Sequence, residues 1–440
     1  MPHDLIAFRR GDLGYEAARR AASFNARLPD RFPEIIVQAR DEANVVAAVT
    51  LANANGWTIG VRSGGHSWAA NHIRNGGMLL DVSRLNTVEV DAGAMTARVG
   101  PGCEGNAINS LLAKKKLFFP VGHCESVCLG GYLLQGGYGW NSRVLGNACA
   151  NVIGVDYVGA DGIARHASAE ENPDMFWAAR GSGPGFFAVV TRFHLKLTPR
   201  PRVIGAKAAF YGIEHLETLV RWAHEVGPRV PDSIELMMLV SRKTDFVKGA
   251  GITVVAPVFA DSLRQAWRDL AFMKTLPPGA RRKTPFLPTT VKAMTRQVMG
   301  HYPASWNYAV DNMWTHATPD QLLPGIRRIA ETLPVAPSHM LWMNWAPPPG
   351  RPDMAYSLDD QTYIALYGVW KDEADTPKAS TWARDNMAAM SPHSTGVQLA
   401  DENLGARPAP FLAEANMARL DALRAKLDPA GRFHPYMGRV

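Results

Sequence analysis

The chain has 440 residues, 47% of them apolar and 20% charged, enough for two or three packed lobes at roughly 150 residues per domain and too apolar for a disordered chain. Lys and Arg outnumber Asp and Glu by 47 to 40, a mild excess spread along the whole length. Its short clusters, Lys114-Lys115-Lys116 and Arg281-Arg282-Lys283, lack the interleaved aromatics of a nucleic-acid groove and read as solvated surface.

The first twenty residues, MPHDLIAFRRGDLGYEAARR, carry acidic residues early and no apolar core, so no secretory signal is expected. Residues 41–56, DEANVVAAVTLANANG, place apolar side chains at helical spacing and end in Asn-Gly, a helix stop. WTIGVRS follows as a strand and opens into Gly64-Gly65-His66-Ser67. GMLLDV, TVEVD and MTARVG read as short strands, and EGNAINSLLAKKK as a helix leading into LFFPVG. Helices therefore alternate with strands over the first 120 or so residues, which is α/β or α+β construction.

From Val121 to Gly146 the composition shifts to seven glycines interleaved with Val127, Leu129, Tyr132, Leu133, Leu134 and Trp140. A flexible linker would lack those apolar residues, so this segment is expected to pack irregularly against something large. The uncharged run Ser126 to Ser142 has five glycines plus Gln135 and Asn141, which rules against a membrane span. All four cysteines, Cys103, Cys124, Cys128 and Cys149, fall in this neighbourhood. A secreted disulfide framework would spread them, so a cytoplasmic protein with reduced thiols is expected.

VIGVDYVGADG and FFAVVTRFHLKLTP are two further strand regions, and Pro199 and Pro201 mark a boundary. Beyond it, longer helices such as IEHLETLVRWAHEV and DSLRQAWRDLAFMKTL accompany five strand-like runs, SIELMMLV, GITVVAPVFA, NYAVDNMWT, HMLWMNWAP and TYIALYGVW. These predict an antiparallel sheet backed by helices. FLAEANMARLDALRAKLDPAGRF is one terminal helix stopped at Asp428-Pro429.

The chemistry is carried by glycines. In VRSGGHS, consecutive backbone N–H groups in a glycine turn can form a nest for two phosphates without a Rossmann helix, with Arg62 adding charge. This loop, the stretch PVGHCESVCLGGYLLQGGYGWNSRVLGNACANV, the block DMFWAARGSGPGFFAVVTRFHLKLTP and the terminal RLDALRAKLDPAGRF together resemble the FAD-linked oxidases of the vanillyl-alcohol oxidase superfamily, in particular the berberine-bridge-enzyme-like branch. The resemblance covers about the first 200 residues and the last 40.

It implies an α+β fold: a PCMH-type FAD-binding domain of two α/β subdomains, built from residues 1–201 and a returning segment 395–440, around a substrate domain at 202–394. It implies flavin contacts from Arg62, Ser63, Gly64, Gly65, His66 and Ser67. Further contacts are implied from Val121, Gly122, Cys124, Val127, Gly131, Tyr132, Gly137 and Gly139, and from Ile153 and Val189. In such enzymes a histidine at the position of His66 bonds the flavin 8α carbon, and bicovalent members place a cysteine where Cys124 stands to bond C6. Cys128, where glycine is usual, leaves open whether His66 acts with Cys124 or alone. A zinc site from the cysteines and His123 is the metal alternative, though no Cys-x-x-Cys pair supports it.

The reaction implied is hydride transfer from an alcohol or sugar-like hydroxyl of a small organic substrate to FAD, with molecular oxygen as second substrate because the small Val127 holds the oxygen-gating position. Oxidative cyclisation or amine oxidation of natural products, an acceptor-dependent dehydrogenase, and a flavin-binding protein without catalysis remain alternatives. The base is where the pattern departs. The family's Tyr-x-Asn is replaced by GVQLADENLG, and Met417 stands where a second tyrosine is usual. Gln398 is the counterpart of the asparagine. Asp311 and Tyr308 share one strand run and alternate to opposite faces, so at most one faces the flavin. His339 opens the next sheet strand and offers a group that titrates near neutrality.

Overall fold

The computed structural model describes residues 5–346 and 348–439. The amino-terminal lobe holds two sheets. The first orders its strands Ile6–Arg9, Ile35–Gln38, Met78–Asp81, Ile59–Arg62, the last three parallel. The helix Glu42–Asn55 packs on it: Asp41 accepts the Asn44 N–H at its start, and Gly56 takes φ 65° at its end. The Asn-Gly stop is thus a left-handed cap that glycine adopts without strain. The second sheet is five antiparallel strands in the order Val88–Asp91, Thr96–Val99, Val189–Lys196, Val152–Val158, Ala164–Ala167. The glycine segment winds into the short helices Leu129–Leu134 and Ser142–Leu145.

The second lobe is an eight-stranded antiparallel sheet whose central order is Val203–Gly212, Gly251–Ala260, Met237–Ser241, His339–Asn344, Thr362–Trp370, Asn307–Thr315. All five strand-like runs of the sequence enter it, and Val203–Gly212 is a strand that the sequence reading passed over. Alternation sorts its residues. Met238, Val240, Met340, Trp342, Ile364 and Leu366 face the helices Leu216–Val226, Pro319–Glu331 and Thr376–Met390. Met237, Met343, Tyr363 and Tyr367 belong instead to the core that continues into the first lobe. One apolar core therefore spans both lobes.

The carboxyl-terminal segment returns to the first lobe. Phe433 bridges Ile59, and the Arg424 guanidinium of the helix Glu414–Leu427 donates to the Phe433 and Gly185 carbonyls at 2.9 and 2.6 Å. Among the described residues no helix is long and apolar enough to cross a membrane.

Candidate active site

The strand Ile59–Arg62 delivers the loop Ser63–Ser67 to the edge of the first sheet. Gly65 sits at φ 71° with the Ala22 carbonyl where a Cβ would lie, and a Cβ on Gly64 would stand 3.0 Å from Cys128 Cβ. Only glycine permits this turn. Gly64, Gly65, His66 and Ser67 have backbone N–H groups with no acceptor among the described residues. Such a row is a concave set of donors suited to an anion. Ser63 Oγ accepts the Gly131 N–H at 3.2 Å, joining the loop to the second glycine stretch, and Gly131 faces open space.

Two chambers meet at this loop. One runs along the Ile59–Ser67 backbone, bounded by Cys128, Gly130, Gly131, Pro184, Phe186, Ala188, Val190 and Phe433. The other, of about 330 Å³, lies between the lobes. His66, Val127, Tyr132 and Gln135 line both, so the chambers form one bent channel: a polar cradle for phosphates at one end, an apolar room at the other, and an imidazole at the bend. The cradle and the unpaired ring nitrogen described next fit an extended flavin dinucleotide.

At the bend, His66 stacks on Phe24 with centroids 4.3 Å apart, and its Nε2 lies 2.9 Å from Ser126 Oγ. Its Nδ1 is buried without a partner in the structure. Burial, reinforced by the Arg62 charge, lowers the His66 pKa to about 4, so the ring is neutral near pH 7. Cys124 lines the same inter-lobe room. Burial, with the Asp401 charge, raises its pKa to about 12, so the thiol keeps its proton.

Facing them is a group that the sequence reading missed. The Asp401 carboxylate accepts the Trp68 indole N–H at 2.7 Å and the Tyr363 and Tyr367 hydroxyls at 2.5 and 2.8 Å. All four line the inter-lobe room, together with Tyr302 and Gln398. Burial pushes the Asp401 pKa up, against the pull of its three donors. Burial also drives Tyr302, Tyr363 and Tyr367 well above the usual phenol range, leaving Asp401 as the ready proton acceptor. The signal was present: Asp401 lies three residues after Gln398 in the very segment where the expected tyrosine is missing. Reading that segment for a phenol hid the carboxylate.

The other candidates divide. Gly122, Cys124, Val127, Tyr132 and Gln398 line the inter-lobe room, and Ser63, Gly64, Gly65, His66, Ser67 and Gly131 line the cradle. Arg62 borders the cradle too, but its guanidinium is turned to Asp81 at 2.9 Å, so its charge is already paired. Val121, Gly137, Gly139, Ile153 and Val189 line neither chamber. Val121 is fully buried and its carbonyl takes the Trp140 N–H. Gly137 and Gly139 leave room for Tyr132: a Cβ on the first would come within 3.0 Å of that ring, and one on the second would meet its hydroxyl. Ile153 points outward, 44% exposed, while Val189 is core.

Three of the proposed bases move away. Asp311 is fully buried in a bidentate pair with Arg407, at 2.5–3.1 Å, and also takes an Asn403 amide N–H. It ties the carboxyl-terminal segment to the sheet. His339 is fully buried between the Pro337 carbonyl at 2.9 Å and the Tyr302 hydroxyl at 3.2 Å. Burial lowers its pKa to about 3, so it does not titrate near neutrality. Tyr308 donates to the Pro303 carbonyl and supports Trp68 from behind, ring centroids 4.7 Å apart. The zinc alternative fails as well. The four thiols form no disulfide, and three of them bind separate partners, Cys103 the Thr87 carbonyl, Cys128 the Gly102 carbonyl and Cys149 the Met354 sulfur.

A family model described as an FAD binding domain matches residues 33–168. The FAD-linked oxidoreductase ptmO of Penicillium ochrochloron is 31% identical over 436 residues, covering 98% of this chain and 96% of its own. Among solved structures, 6-hydroxy-D-nicotine oxidase from Arthrobacter nicotinovorans superposes with a TM-score of 0.85 at 23% identity, over 98% of this chain and 96% of that one. The BBE-like 1 protein of Physcomitrella patens superposes with a TM-score of 0.85 at 18% identity and the same coverage. The phosphate cradle, the bent channel and a relative aligned along nearly the whole length agree: this chain belongs to the FAD-linked oxidoreductases, built on the fold of the berberine-bridge-enzyme-like proteins.

Proposed function

We propose that this oxidoreductase oxidises an alcohol carbon of a largely apolar organic molecule, with FAD held covalently and reoxidised by molecular oxygen. The observation that carries the reading is the placement of Asp401 and its two tyrosines on the wall of the room that His66 also lines. Bound FAD supplies the hydride acceptor. The Tyr363 and Tyr367 hydroxyls and the Asp401 carboxylate would meet a substrate hydroxyl on this wall, and Asp401 would take its proton.

The walls of the room support the substrate class. The sheet contributes Ala206, Ala208, Phe210, Met237, Leu239, Val255, Leu341 and Met343 as an apolar wall, while the polar side chains His123, Gln135, Ser241, Lys243, Asp245, Gln297 and His301 are also among the lining residues. A hydroxyl laid against that apolar wall finds no partner there, at a cost of about 1–3 kcal/mol if it stays unpaired. An apolar body on that wall, with a hydroxyl reaching Asp401, fits this lining. Val127, small and shared by both chambers, supports oxygen as the acceptor.

Covalent attachment rests on His66. When Nε2–H donates to Ser126 Oγ, Nδ1 carries a lone pair directed at no protein group, the form a nucleophile needs. Cys124 is a second attachment point once Asp401 or water takes its proton. Mass spectrometry after denaturation tests this: an FAD mass should remain on the His66 peptide, and its absence refutes covalent attachment. Hydrogen peroxide release with apolar alcohols, set against mono- and oligosaccharides, tests the substrate class and the acceptor together.

A further inference from the structure

Away from the flavin channel, the second sheet of the FAD lobe carries Asp156, His166 and His194 on three adjacent strands, Val152–Val158, Ala164–Ala167 and Val189–Lys196. Asp156 stands opposite His166 in the strand register, and His194 stands opposite Gly154, two residues before Asp156. Both imidazoles turn to one carboxylate oxygen: His166 Nδ1 lies 2.7 Å and His194 Nε2 3.0 Å from Asp156 Oδ1. The rings meet edge to face at 5.0 Å, and the three ligand atoms all lie within 4.8 Å of one another.

Three features distinguish this trio from an ordinary surface ion pair. No Lys or Arg pairs with Asp156 among the described residues: the neighbouring Arg165 is committed to Asp161 at 2.6 Å and Arg192 leans to Glu89 at 4.0 Å. The groups are sheltered but reachable, their side chains 27%, 36% and 23% exposed for Asp156, His166 and His194. Gly154 keeps the site open, because a Cβ there would come within 3.0 Å of His166 Cε1.

We propose that Asp156, His166 and His194 bind a divalent first-row transition ion, with zinc as the probe. Two imidazole nitrogens and a carboxylate are borderline ligands suited to such ions. Metal–ligand bonds of about 2.0–2.2 Å require the facing atoms to part only slightly from their present hydrogen-bond spacing. Water completes the coordination from the solvent side. The ion replaces the hydrogen atoms now shared between the rings and the carboxylate, so binding releases protons and weakens in acid. It clips three strands together, and the strand bearing His194 also carries Val190 in the cofactor cradle, so the bound ion stabilises the FAD lobe without touching the chemistry.

The test uses tag-free holoenzyme stripped with a chelator and titrated with zinc against a chromophoric competitor. The expected result is one equivalent bound with micromolar affinity and a melting temperature raised by several degrees. In the double variant His166→Gln/His194→Gln, affinity should fall by at least the roughly 100-fold that loss of an outer-shell partner can already cost, with flavin content unchanged. Cobalt should show ligand-field bands in the wild type that vanish in Asp156→Asn, a readout that stands if the double variant does not fold. Equal zinc affinity in variant and wild type, or no binding tighter than millimolar, overturns the proposal and leaves the trio as a hydrogen-bonded strand clasp.

Discussion

Replacing Asp401 by Asn keeps the size of the side chain and removes the charge that the proposed mechanism depends on. Loss of a general base costs about 100- to 10,000-fold in rate, or about 3–5 kcal/mol of transition-state stabilisation. The folding consequence should be smaller, because two effects oppose. Three donors converge on Asp401, and one of them facing an amide NH2 costs about 1–3 kcal/mol. Against this, burial raises the folded-state pKa of Asp401, so ionising it within the fold costs stability. That penalty is absent below the unfolded-state carboxyl pKa and sets in as pH rises through the raised value, and Asn removes it. The variant should therefore fold and hold FAD. Anaerobic stopped-flow reduction of the bound flavin by a good substrate measures the effect on chemistry. In the wild type the reduction rate should fall as pH drops through the raised Asp401 pKa; in Asp401→Asn it should be slow and flat. An Asp401→Asn enzyme that reduces its flavin at the wild-type rate, with the wild-type pH profile, refutes the assignment of the base.

Other perturbations separate the remaining roles. His66→Ala should lower flavin content and abolish attachment, whereas Cys124→Ala should leave a His66-linked flavin, both read by mass after denaturation. Ser126→Ala removes the partner of His66 Nε2 and should slow the appearance of covalently retained flavin in apoprotein incubated with FAD. Gly65→Ala forces a side chain into positive φ against the Ala22 carbonyl; beyond about 1–2 kcal/mol of backbone strain, the loop must shift, and FAD affinity should drop sharply by equilibrium dialysis. Arg407→Met leaves Asp311 buried without its partner, costing about 3–5 kcal/mol in denaturant unfolding, while flavin reduction per bound FAD keeps the wild-type pH dependence.

Much of the lobe structure was legible because it rests on local rules. Asp41 and Gly56 bracket their helix as capping chemistry requires, and the short apolar runs in MMLVS and HMLWMN mark strands whose two faces meet different cores. Val203–Gly212 escaped because AKAA within it lacks the β-branched residues that signal a strand; its ladder with Gly251–Ala260 compensates through tertiary pairing. Within the site, the glycine turn before His66 was readable because few residues tolerate such a backbone.

The catalytic side was not readable in the same way. Asp311 looked exposed to chemistry and proved to be half of a buried pair with Arg407, a partner 96 residues away; His339 looked titratable and proved to be sealed in the core. Meanwhile Trp68, Tyr363 and Tyr367, drawn from both lobes, converge on the Asp401 carboxylate of the returning segment. The sequence by itself determined the backbone shapes and the cradle, because glycine geometry, capping and alternation act between near neighbours. Only the tertiary structure decided which acid is a base and which is a strut, because burial and partners set the charge of a carboxyl, and both come from chain segments that the local pattern does not connect.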